Sequence, residues 1–224
     1  MQKKKIIWRR SPAPTYNLST DGQALFFVSQ DGSLYAVNMK NGQLLWADHT
    51  SIKLGDVIVG KELIYVNSIP FRSIDRRITA YAKKTGVLIW QRSLNEPNYA
   101  KYGSLASTLH HDKLFVSHVL LSPISTFSEP IRYSSKGSGV YALDAQTGQM
   151  LWHADIEAIT APISINNVLY IGAHDSLYAL YEETGKERWH LNMEDDVSAI
   201  IPYRNKLFIQ LGLTKKYGKL LEIS

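Results

Sequence analysis

Apolar residues in this chain fall in short runs, each bounded by a polar turn, and one such unit recurs. It reads LYAVNMKNGQLLW from Leu34 to Trp46, ITAYAKKTGVLIW from Ile78 to Trp90, VYALDAQTGQMLW from Val140 to Trp152 and LYALYEETGKERW from Leu177 to Trp189. Each copy is an apolar stretch, a polar turn closed by glycine (Gly42, Gly86, Gly148, Gly185) and a second stretch ending in tryptophan. The flanks are rich in Val, Ile, Leu and Tyr, as strands require. A glycine at the end of a polar turn supplies positive φ without a Cβ clash. The unit therefore predicts a β-hairpin. A second column lies upstream: Phe26-Phe27-Val28, Ile64-Tyr65-Val66, Leu114-Phe115-Val116, Leu169-Tyr170-Ile171 and Leu207-Phe208-Ile209. Most follow turn-like pairs such as Asp21-Gly22, Gly60-Lys61 and Asn166-Asn167, so another hairpin precedes the first. The repeat is four strands, A to D.

The central aromatics, Phe27, Tyr65, Phe115, Tyr170 and Phe208, are 38, 50, 55 and 38 positions apart. Four-stranded units of about 40 residues are the blades of a β-propeller. The expected fold is all-β: one domain over 1–224 with about five four-stranded blades, near 14–47, 50–91, 99–153, 159–190 and 197–224. Only four copies reach a D-strand Trp. The fifth stops at Lys219–Ser224, which aligns with a C strand, while Lys5-Ile6-Ile7-Trp8 resembles a D strand without a blade. Pairing residues 4–9 with the C-terminal blade would close the ring and cover an open edge. A ring closed this way is expected to be a monomer.

The pattern Tyr-Ala-x-x-x-x-Thr-Gly-x-x-x-Trp resembles the repeat of pyrroloquinoline-quinone-type (PQQ-like) β-propellers. Tyr141–Trp152 is the best copy, followed by Tyr178–Trp189 and, with Asn for Thr, Tyr35–Trp46. The resemblance implies that each D-strand Trp docks on the neighbouring blade over its Thr-Gly turn. Trp8, Trp46, Trp90, Trp152 and Trp189, with Gly42, Gly86, Gly148 and Gly185, are then structural. Catalytic members of that family resemble one another in a vicinal Cys pair over the cofactor, a Ca²⁺ held by acidic and amide ligands, and a catalytic Asp, on seven or eight blades. This chain has no cysteine, and Asp144 sits in the C–D turn, where the family uses it structurally. The resemblance therefore implies the non-catalytic branch, with no cofactor: scaffolds like the propeller lipoprotein of outer-membrane β-barrel assembly, and sensor propellers.

Composition narrows the classes further. At 45% hydrophobic residues the chain is too apolar for disorder, and no apolar run is long enough to cross a bilayer. The start, MQKKKIIWRR, has a basic segment without an apolar core, so no secretory signal is expected. That favours the cytoplasm, whereas the family resemblance favours an extracytoplasmic site. The net charge of +5 is carried by Lys3, Lys4, Lys5, Arg9 and Arg10. The rest balances, which argues against nucleic acid as a partner.

The spacing from B-strand aromatic to hairpin Gly departs from its minimum in two blades. Extra residues fall between strands B and C, at Ser68–Arg77 and Val119–Gly139, with a smaller extension at Leu211–Gly218. In an antiparallel blade all B–C loops emerge on one face, with the D–A connections, and such loops carry function more often than the frame. These segments hold Phe71, Arg72, Arg76, Arg77, Phe127, Arg132, Tyr133, Lys136, Lys215 and Lys216. Arg with aromatics suits a protein partner or a small anionic ligand, although solvated loops also hold charge. His110-His111-Asp112 fills an A–B turn on the opposite face, where adjacent side chains should diverge. His118 and His174 end B strands. No His-x-x-x-His or His-x-Glu spacing occurs, so no metal site is expected. Glu194-Asp195-Asp196 reads as a solvated turn, with a cation site as the alternative. Asp56 is the one acid on the A strands, short of the two or three acids a small propeller hydrolase would need. The function expected is a non-enzymatic scaffold or ligand-sensing, protein-interaction module working through the B–C loop face. The alternatives are a fragment or degenerate relative of a quinoprotein dehydrogenase, or a small propeller hydrolase.

Overall fold

The computed structural model describes residues 6–11, 18–49, 52–70, 76–94, 104–119, 139–204, 206–212 and 219–223. These residues contain strands and turns and no helix. The chain divides into two compact units, Met1–Asn95 and Glu96–Ser224. The first unit holds two antiparallel four-stranded sheets in chain order. One is β1 (Ser19–Thr20), β2 (Ala24–Val28), β3 (Leu34–Asn38) and β4 (Leu44–Asp48); the other is β5 (Ile52–Val59), β6 (Leu63–Pro70), β7 (Arg77–Ala82) and β8 (Leu88–Ser93). The second unit holds three sheets: β9 (Ser104–His110) to β10 (Lys113–Val119), β11 (Val140–Asp144) and β12 (Met150–Ala154); β13 (Ile163–Ile165) to β14 (Val168–Ala173), β15 (Ser176–Tyr181) and β16 (Glu187–Asn192); and β17 (Val197–Tyr203), β18 (Lys206–Leu211) and β19 (Lys219–Ile223). These five meanders are the blades that the repeat predicts. The fifth has three strands, and residues 6–10 lie in none.

The recurring motif has a direct structural cause. In each of the four complete hairpins the glycine takes the left-handed conformation: φ is 69° at Gly42, 73° at Gly86, 71° at Gly148 and 67° at Gly185. Its N–H closes the turn on the carbonyl four residues back, for example Gly86 to Ala82 at 2.8 Å. The register then slips by one residue, always at the alanine of the motif: Ala36, Ala80, Ala142 and Ala179. Each alanine faces the D-strand Trp (Ala36 with Trp46, Ala80 with Trp90) and is fully buried. A side chain without bulk is what leaves room for the indole. The bulge re-aims the D strand so that this indole turns out of its own sheet.

That indole is the seam between blades. Trp46 lies over the hairpin glycine of the next sheet, so that a Cβ on Gly86 would fall 2.5 Å from Trp46 Cε3. Trp8 lies likewise over Gly42, and Trp152 over Gly185. Trp8 thus takes the seat on the first sheet that the D-strand Trp of a preceding blade would take. In all three cases the indole Nε1–H donates to the carbonyl three residues before the glycine: Trp8 to Met39 (3.0 Å), Trp46 to Lys83 (2.9 Å) and Trp152 to Glu182 (2.9 Å). The hydrogen bond explains why the position holds Trp rather than Phe. Around Trp46, the core of the first unit gathers Phe26, Val28, Leu34, Val57, Ile64, Val66 and Tyr81. In the second unit one cluster joins Phe115, Ala142, Leu169 and Ile171 under Trp152, and another joins Leu177, Val197, Ile200 and Ile209 beside Trp189.

Candidate functional site

Strands B and C run antiparallel, so the end of B, the start of C and the D–A connection share one end of each sheet. The buried polar side chains collect there. In the first unit they are Ser29 and Ser33 in the turn after β2, Asn67 and Ser68 towards the end of β6, and Arg76 at the start of β7. In the second unit they are Ser117 and His118 at the end of β10, Thr160 after β12, and Asp195 and Asp196 after β16. Among the described residues, the buried polar side chains elsewhere are Thr79 and Glu182. Burying polar groups costs free energy unless each is bonded, so these ends are built from specific contacts. Ser33 Oγ meets His49 Nδ1 at 2.7 Å, and Tyr35 Oη donates to Asp31 at 3.0 Å. Burial pushes the Asp31 carboxyl up, but the Ser33 N–H and the Tyr35 hydroxyl outweigh it and hold the group below its ordinary value. Ser117 Oγ donates to the Thr160 carbonyl at 2.7 Å, and the Gly172 N–H donates to Thr160 Oγ1 at 2.9 Å.

The residues expected to form the interaction face fare unequally. Arg76 is only 4% exposed, and burial holds its guanidinium below the usual arginine value. It belongs to the interior end of the sheet rather than to a solvated loop. Arg77 begins β7, half-buried, with Nη1 3.4 Å from Gln91 Oε1. Ser68 to Pro70 extend β6, so part of the second-blade insertion is longer strand. Phe71, Arg72, Phe127, Arg132, Tyr133, Lys136, Lys215 and Lys216 lie outside the described residues. The acidic stretch needs correction: Asp195 and Asp196 are each 6% exposed, not solvated, and Asp196 bonds His174 Nδ1 at 2.9 Å. Exposed Glu194 alone behaves as a surface residue, paired with Lys219.

The opposite ends carry a periodic slot that the sequence reading missed. The residue after strand C donates its N–H to the A–B turn of its own sheet: Met39 to Gln23, Lys83 to Glu62, Ala145 to Asp112 and Glu182 to Asn167. In two of the four the side chain reaches the preceding sheet. Lys83 meets Asp21 at 3.2 Å, and Glu182, 2% exposed, meets His110 Nδ1 at 3.1 Å. Ser164 Oγ donates to Glu182 and lies 3.1 Å from His110 Nδ1. This Ser, His and Glu do not form a hydrolytic relay. The acid and the hydroxyl meet the same ring nitrogen, whereas a relay needs them on opposite nitrogens. The neighbouring histidine also departs from expectation: the rings of His110 and His111 do not diverge but lie 4.0 Å apart.

Comparison with known proteins agrees with this architecture. A polyvinylalcohol dehydrogenase from Pseudomonas sp. is 28% identical over 184 residues, which is 73% of this chain and 27% of the relative. The outer membrane protein assembly factor BamB of Taylorella asinigenitalis is 27% identical over 88 residues, 39% of this chain and 22% of the relative. The chain thus spans about a quarter of the length of these curated relatives. The crystal structure of quinohemoprotein alcohol dehydrogenase from Comamonas testosteroni superposes with a TM-score of 0.59 at 17% identity, covering 86% of this chain and 37% of that one, a likeness of fold. The family model described as outer membrane protein assembly factor BamB matches residues 2–119 and 135–212, and with its Tyr-Ala, Thr-Gly and Trp positions seated as above, the chain belongs to that family of PQQ-like repeat propellers.

Proposed function

We propose that this chain is a non-enzymatic propeller scaffold that binds protein partners through the B–C ends of its blades, and that it works outside the cytoplasm in outer-membrane protein assembly. The reading takes the five sheets as blades of one domain, with residues 4–9 as the missing strand of the fifth. The observation that carries it is the one-sided distribution of polar groups. Each unit spends its buried Ser, Asn, Arg, His and Asp side chains at the ends from which the long B–C segments leave. Among the described residues the frame has few such groups elsewhere, and loops that leave a rigid frame carry function more often than the frame itself. Arg77, with the Arg and aromatic residues of the insertions, supplies the anchor types that protein interfaces favour. The family description supports the assembly role.

The test uses a strain lacking the gene, complemented with the wild-type chain or with Arg72→Glu/Arg77→Glu/Lys136→Glu. Outer-membrane β-barrel yield is measured beside the melting temperature of each purified protein. The expected result is an unchanged melting temperature with lost complementation. Full complementation by the charge-reversed chain refutes the B–C face. A second reading, a quinone-dependent alcohol dehydrogenase module, draws on the match to the polyvinylalcohol dehydrogenase over 73% of the chain. Without cysteine the chain lacks the vicinal pair that the catalytic members carry over the quinone. Alcohol-dependent dye reduction by the purified chain supplied with quinone and Ca²⁺ would establish that reading instead.

A further inference from the structure

We infer that His110, His111 and Glu182 form a divalent transition-metal site, of the kind that takes Zn²⁺, at the A–B end of the third and fourth sheets. The three residues arrive from separate places: His110 closes β9, His111 opens the turn that follows, and Glu182 follows β15 in the next sheet. One nitrogen from each imidazole and one carboxylate oxygen all lie within 4.8 Å of one another. Two imidazoles and a carboxylate are the donors of open, three-ligand zinc sites, which leave a fourth position to water. Metal–ligand bonds of about 2.0–2.2 Å set the ligand atoms roughly 3.4 Å apart in a tetrahedral site. The remaining approach falls to His111, which is exposed.

The inter-blade slot accounts for Glu182 meeting His110, as Lys83 meets Asp21 in the second sheet. It does not account for His111. Nor does it explain why the slot holds a buried carboxylate where the equivalent positions hold Met39, Lys83 and Ala145. Buried carboxylates are paired or coordinate metals, and Glu182 is only 2% exposed, with the tilted His110 and His111 rings 4.0 Å apart beside it. A divalent ion would meet all three groups at once. Ser164 Oγ, which donates to Glu182, holds the carboxylate in position as the outer partners of metal ligands do. The surrounding charges are Lys113, 2.9 Å from Glu183 and 3.6 Å from Asp112, so the lysine opposing a cation is itself neutralised. The ion would clasp two neighbouring blades.

Calorimetric titration of the untagged, chelator-treated full chain with Zn²⁺, and absorption spectra with Co²⁺, test this directly. The expected result is one ion per chain, visible Co²⁺ bands of a low-coordinate site, and a rise in melting temperature with metal. His111→Ala and Glu182→Gln should each weaken binding at least about tenfold, while His190→Ala, whose ring meets Glu187 at 2.7 Å on β16 and is not among the three ligands, should not. His111 is exposed, so its variant stays folded, and circular dichroism verifies this even if Glu182→Gln unfolds. Wild-type affinity in His111→Ala, or failure of the wild-type chain to take up one ion, overturns the inference. Neither outcome bears on the B–C face.

Discussion

The Trp46 seat on Gly86 yields a prediction whose magnitude follows from geometry. Replacing Gly86 by Ala raises two separate costs. The backbone sits at φ +73°, where an L side chain costs about 1–2 kcal/mol. The new Cβ would also stand 2.5 Å from Trp46 Cε3 and 2.7 Å from Cδ2, and displacing a buried indole is overpacking of about 1–3 kcal/mol. Gly86→Ala should therefore destabilise by about 2–5 kcal/mol in sum. Two comparisons separate the costs. Gly22 has φ +87° and nothing within 4 Å of its Cβ position, so Gly22→Ala should show the backbone cost alone. In a Trp46→Ala background, itself about 3–5 kcal/mol less stable, Gly86→Ala should also fall back to the backbone cost. Urea unfolding followed by circular dichroism gives all four free energies, with an unchanged slope as the check on a common unfolded state. The expected coupling between positions 46 and 86 is about 1–3 kcal/mol. If Gly86→Ala costs the same with and without the indole, the seam is not what the glycine serves.

Two further outcomes follow from other contacts. The Thr147 hydroxyl donates to Asp144 Oδ1 at 2.7 Å and, with the Thr147 and Gln146 N–H groups, holds this carboxyl below its ordinary value. A depressed native pKa stabilises above the unfolded value, about 3.9, and that stability is lost as pH falls through the native value. Asp144→Asn should flatten this acid limb of a pH–stability curve; an unaltered curve refutes the assignment. Gly172 packs so that a Cβ would lie 2.7 Å from Thr160 Cγ2, Val197 Cγ1 and the Val197 carbonyl. Because backbone is among these neighbours, Gly172→Ala should cost about 1–3 kcal/mol, and a neutral result by denaturant unfolding would show that Thr160 and the start of β17 can yield.

The repeat determined a great deal unaided. Strand order, hairpin positions, the left-handed glycines and the structural role of the tryptophans are all local or periodic properties. A period of about 40 residues writes each of them several times in one chain. The Tyr-Ala dipeptide marked the motif, yet the reason for the alanine appears only with the register, which sets it opposite the indole. What the tertiary structure alone decided concerns side chains that cross from one blade to the next or turn inward at a sheet end. Arg76 and Asp195-Asp196 have the composition of surface loops and are buried. Lys83 with Asp21, and Glu182 with His110, are 62 and 72 positions apart in sequence and carry no local signature. Hydrophobic periodicity fixes which face of a strand is covered. It does not specify which polar side chain meets which across a seam, because that depends on how successive blades are stacked.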